Sequence, residues 1–157
     1  MVAGSALAQR ALRVLVVVQC VGAACWWWRD GSNVGALLVW PAARVLGALV
    51  VALALLVAVR PRRAPLLAIA ALMLTEALVG AVAGEGYARL APLSQAVRYG
   101  GPIALLYFGA SSGTSARRIL GWAACAVFIA HGFEALTLRP QFVDYLQVTF
   151  ALSLIHI

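Results

Sequence analysis

Arginines, prolines and glycines divide this chain into apolar runs close to the roughly 17–25 residues that a helix needs to cross a hydrocarbon core. The runs cover 11–28, 41–59, 65–83, 92–110 and 119–136, and another begins near 142. They predict an all-α fold, a polytopic transmembrane helical bundle with about five complete spans and a truncated sixth. Pro41, Pro65 and Pro92 fall at the starts of runs, where a missing N–H costs a helix nothing.

Composition points the same way. Hydrophobic residues make up 64% of the chain and charged residues 11%, against about 45–50% and about 25% in a soluble domain. No segment is polar enough for a soluble domain. There is no phosphate-cradling glycine loop, not even in SSGTSARR (111–118), and no nucleophile motif, so the sequence makes no independent case for an enzyme.

All twelve basic residues are arginine, and with five acidic residues the net charge is +7. In a polytopic chain this excess is first a topological signal, because arginine accumulates in cytoplasmic loops. Arg10 and Arg13, then Arg60, Arg62 and Arg63, then Arg117 and Arg118 fall on one side without an acidic residue. The opposite loops mix Arg29 with Asp30, Arg44, Glu85 with Arg89, and Arg139 with Asp144. The expected N-terminus is cytoplasmic, in a bacterial inner membrane, and no nucleic-acid partner is called for. The run Trp26-Trp27-Trp28, with Trp40, reads as an aromatic belt at the outer boundary.

Cys20, Cys25 and Cys125 all lie in apolar runs and lack the spacing of a metal or redox site. They are expected to be small hydrophobes. The VGAAC stretch (21–25) resembles a lipoprotein cleavage box, but glycine stands where a leucine-like residue is usual, so an uncleaved first span is expected.

Ionisable groups inside spans are costly and mark candidate sites. At 1.5 Å per residue, Glu76 lies roughly 17 Å and His131 about 18 Å from the cytoplasmic ends of their runs, while Arg98 descends roughly 9 Å from the outer side. Glu134 follows one turn after His131, on the same helical face. The candidate intramembrane polar cluster is therefore Glu76, Arg98, His131 and Glu134, with Arg44, Gln95 and Tyr99 as neighbours. Two roles compete for it: a structural staple centred on a Glu76–Arg98 pair, and a pocket for a quinone headgroup, a proton path or a small solute. A di-metal site would need matching carboxylates and a second such motif, so no metal is assigned. Gly132 is expected to ease helix packing, and RYGGP (98–102) to kink its helix.

The segment RRILGWAACAVFIAHGFEALTLRPQFVDYL (117–146) resembles the opening helix of DoxX-like membrane proteins, with arginine at the inner edge, an apolar run, an HG pair and an outer loop. His131 and Gly132 match that HG, whereas Glu134 stands close to where many members have lysine or glutamine. The resemblance implies a small bundle of four spans associated with quinone-linked redox complexes. The first span, LRVLVVVQCVGAACWWWRDGS, also starts with arginine and ends in an outer polar loop, so four spans followed by a restart suit a tandem arrangement, with a four-span unit over 1–110 and the start of a second over 111–151.

The final LSLIHI (152–157) is what the codons CTG TCT CTT ATA CAC ATC encode, a string that matches the transposon mosaic end of sequencing libraries. These residues are expected to be adaptor-derived, with the natural frame continuing beyond Ala151. His156 accordingly carries no functional weight. Three functions stay open on sequence grounds: a redox-associated subunit with quinone as its possible cofactor, a small-solute transporter or channel, and a non-catalytic assembly subunit. All three have the lipid bilayer as partner, and membrane proteins or further copies of the chain as candidate others.

Overall fold

The computed structural model describes residues 2–37, 42–84, 86–110 and 113–137. Pro41, Trp40, Glu85, the expected sixth span from about 142 and the terminal hexapeptide lie outside the described residues. Those described form seven α-helices, α1 (Val2–Asp30), α2 (Asn33–Leu37), α3 (Ala42–Val59), α4 (Arg63–Ala83), α5 (Ala91–Ser94), α6 (Ala96–Ala110) and α7 (Gly113–Leu136), with a 3-10 turn at Gly86–Leu90 before α5.

Four of them, in α1, α3, α4 and α7, are long and apolar enough to cross a membrane. The fifth expected span, 92–110, is not one continuous helix. It breaks at Gln95, whose N–H bonds to Ala91 O while its own carbonyl accepts the Arg98 N–H at 2.8 Å. That tight i to i+3 turn interrupts the regular ladder. The remaining 15 residues of α6 would reach only about 22 Å as a helix. Pro65 and Pro92 do lie in first turns, as expected.

Helices α1, α3, α4 and α6 pack in a ring, each against the next and α6 back against α1, while α7 runs along α6 and α5. The buried positions recur every three or four residues, the stripe that lets helices interlock: Val16, Cys20, Ala24 and Trp27 on α1; Gly47, Val50, Ala54 and Val57 on α3; Leu66, Ile69 and Met73 on α4. Helix α7 turns a heptad of small residues inward, with Ala116, Ala123 and Ala130 buried and Trp122, Phe128 and Ile129 exposed. Small residues on packed faces and large apolar ones on open faces suit a lipid surrounding, where burial of apolar area between helices gives little and close packing gives more.

The tryptophan belt needs one correction. Three consecutive helical residues spread over about 200° of the helix, so they cannot all face outward. Trp26 and Trp28 are exposed, but Trp27 joins the core. The Trp28 indole N–H donates to Arg44 O at 3.2 Å, tying the end of α1 to the start of α3. Gly47 makes room for that indole, since a Cβ there would come within 2.8 Å of Trp28 Cδ1.

Candidate functional site

Gly31 ends α1 with a left-handed φ of 86°, the conformation that reverses a chain after a helix most cheaply on glycine. The reversed chain forms α2, and its first amides would be without partners unless side chains supply them. Ser32 Oγ accepts the Gly35 N–H at 2.7 Å, in the manner of an N-cap. Glu76 of α4 accepts the other two, Asn33 N–H on Oε1 at 2.5 Å and Val34 N–H on Oε2 at 3.0 Å. The Asn33 side chain also reaches Glu76 O at 3.4 Å. It passes over Gly80, where a Cβ would approach Asn33 Nδ2 to 2.7 Å.

Glu76 is thus a remote helix cap. It is 6% exposed, and both of its oxygens are committed to backbone amides. The structure does not pair it with Arg98, contrary to the expected staple. The Arg98 guanidinium instead donates to Gln95 Oε1 at 3.2 Å, within its own helical turn. The physical reason is competition: two amides of a chain turning back into the bundle have no other acceptor, and a carboxylate with two oxygens serves both.

Sequence reasoning also missed Gln19. Pro102 lies inside α6 and has no N–H, so the Arg98 carbonyl one turn earlier loses its helical donor. Gln19 Nε2 from α1 supplies one at 2.8 Å. Gly100 and Gly101 let α6 sit close to its neighbours: a Cβ at Gly100 would meet Ala123 Cβ of α7 at 2.9 Å, and one at Gly101 would meet Val16 Cγ2 of α1 at 3.5 Å. RYGGP is therefore the place where α6 contacts α1 and α7 at once. The signal was present in the sequence, because a proline within an apolar run always calls for a donor to the carbonyl four residues before it.

His131 and Glu134 are brought together on α7, with Nδ1 to Oε2 at 3.4 Å. Their side chains are 50% and 11% exposed, so the carboxylate faces the protein while the imidazole opens onto the surface. Phe128, Ile129 and Phe133 are exposed around them. Gly132 does not serve the close packing expected of it, since a Cβ there would meet nothing within 4 Å. Of the expected neighbours, Tyr99 donates its hydroxyl to Pro92 O at 2.5 Å, bracing the broken helix, and Gln95 holds Arg98. Arg44 offers its carbonyl to Trp28.

Two clefts open at this end of the bundle. One of about 290 Å³ lies between Asn33, Gly80, Ala83, Ala91, Ser94 and Gln95. The other, about 790 Å³, is bordered by Trp26, Trp28, Arg29, Asn33 and Arg44. Among the described residues, no set of three His, Cys, Asp or Glu side chains is placed to hold a metal ion.

Four long apolar helices define the class: this is a multi-pass integral membrane protein, all-helical among the described residues. Compared with protein-family models, curated proteins and solved structures, the chain finds no match in any of the three.

Proposed function

We propose that the chain is a DoxX-like, redox-associated subunit of a bacterial inner membrane, with a cytoplasmic N-terminus, in which His131 and Glu134 exchange protons with a quinone headgroup. The observation that carries this reading is the geometry of the dyad. A largely buried carboxylate lies 3.4 Å from a half-exposed imidazole on an open stretch of α7, where Phe128, one turn before His131, is exposed on the same side. A lipid-soluble quinone would approach through the bilayer and meet that face first.

Histidine titrates near neutral pH, and a carboxylate beside one ring nitrogen orients the other toward a substrate oxygen. Reduction of a quinone to a quinol takes two electrons and two protons. A redox partner supplies the two electrons; the dyad passes one proton to the quinone oxygen that it faces and is recharged from the nearby outer water, and the other oxygen takes the second proton from that water. The arginine asymmetry supports the orientation, since the arginine-rich, acid-free end is the one that membranes retain in the cytoplasm. The test is quinone-linked electron flux in membranes carrying His131→Ala or Glu134→Gln. A drop of about tenfold or more is expected for loss of a general acid–base group, at unchanged protein level. Full flux in both variants would sink the reading.

A further inference from the structure

The arginine-rich end of the bundle carries an unmet chemical demand. Arg10, Arg13, Arg60, Arg62, Arg63, Arg117 and Arg118 gather there, and among the described residues none of their guanidinium groups has a hydrogen bond, an ion pair or a ring contact. At the other end Arg29 pairs with Asp30 at 2.8 Å and Arg98 bonds Gln95. Leu12, Val57, Leu66 and Ala116, each within a few residues of these arginines, are all buried, and the packing of α1 against α3, with Trp28 bonded to Arg44 at the opposite end, brings the start of α1 to the α3–α4 turn.

Arg13 is the most demanding of the seven. Its Nε is enclosed by protein and has no acceptor, the only such side-chain atom among the described residues. An enclosed donor without an acceptor costs about 1–3 kcal/mol, more when it is charged. Nε is closed to water and to anything larger, so an acceptor from outside the protein engages Arg13 at its two terminal guanidinium nitrogens, which the enclosed Nε holds in a fixed direction. Val14, Leu15, Val59 and Leu67, all exposed and apolar, flank the arginines. The guanidinium of Arg13 therefore lies among exposed apolar side chains, next to the charged end of the bundle.

We propose that this end holds an anionic phospholipid, with Arg13 as its phosphate ligand through the guanidinium fork and the six other arginines providing the surrounding positive field. A fork of parallel N–H donors fits phosphate oxygens better than a point charge does. The net negative charge of the lipid offsets a field that no acidic residue of this end reduces. The occupant is a lipid rather than a soluble polyanion because the site borders the lipid-facing belt. This inference does not depend on the quinone reading.

The test is native mass spectrometry of the purified full chain after exchange into micelles containing phosphatidylglycerol and phosphatidylcholine in equal amounts. Wild type is expected to retain phosphatidylglycerol selectively, and Arg13→Gln to lose about fivefold of that retention, the size of effect expected for one arginine at an anionic surface. Arg29→Gln at the opposite end should retain lipid as wild type does. Arg13→Lys, which keeps the charge and loses the fork, should also retain less. It decides the matter if Arg13→Gln proves misfolded by circular dichroism. Equal retention of the two lipids, or wild-type retention in both Arg13 variants, would overturn the proposal. Displacement of the lipid by excess inorganic phosphate would show that the site takes the free anion, and would overturn the lipid as occupant.

Discussion

Gln19 of α1 donates from Nε2 to the carbonyl of Arg98 on α6 at 2.8 Å, meeting the acceptor that Pro102 leaves without a helical partner. A backbone defect in one helix thereby becomes a specific contact with another. In hydrocarbon such a defect is tolerated only where protein or water satisfies it.

The pair makes a double-mutant cycle informative. Gln19→Leu should destabilise the protein by about 1 kcal/mol, in the range of interhelical hydrogen bonds in membranes. Pro102→Ala restores an N–H for Arg98 O, so the same Gln19→Leu change should cost much less in that background. Unfolding in mixed micelles measures both, and equal costs in the two backgrounds would show that Gln19 acts elsewhere.

Adjacent glycines on α6 should respond differently to the same substitution. Gly100→Ala brings a Cβ to 2.9 Å from Ala123 Cβ and must push α7 away, whereas Gly101→Ala meets Val16 at 3.5 Å, an ordinary contact. Overpacking of this kind costs about 1–3 kcal/mol. Thermal denaturation should therefore show a clear loss for Gly100→Ala and little change for Gly101→Ala. The opposite order would contradict the assignment of faces.

Glu76→Gln should loosen α2 without unfolding the bundle. A carboxamide offers one oxygen where the carboxylate offers two, so either Asn33 N–H or Val34 N–H loses its acceptor, at a cost of about 1–3 kcal/mol. Amide exchange over 33–37 should accelerate while exchange in α3 stays slow. Adding Arg98→Gln should not restore protection, because the two residues are not partners. Restored protection would revive the ion-pair staple.

The helices were legible in the sequence because apolar run length and arginine punctuation are local properties. Helices α3 and α4 start and end within two residues of their expected bounds. The break at Gln95 escapes a reading based on run length, although Pro92, Ser94, Gln95 and Arg98 make the first half of 92–110 more polar than the runs on either side. Within the site, the His131–Glu134 pairing follows from i, i+3 spacing and was readable. The fate of Glu76 was not. Equal depth made Arg98 a plausible partner, but depth says nothing about which face of α4 carries Glu76, and the reversed α2 that claims it depends on a positive φ at Gly31. DGSN (30–33) did contain the signal, a turn glycine followed by a capping serine.

Photolabelling with an azidoquinone tests the central claim most directly, because it reads contact with the dyad rather than downstream flux. In native membranes, label should enter the tryptic peptide that begins at Ile119 and carries His131 and Glu134, be displaced by excess unlabelled quinone, and fall sharply in His131→Ala. Label absent from that peptide, or label there that unlabelled quinone fails to displace, would contradict the account.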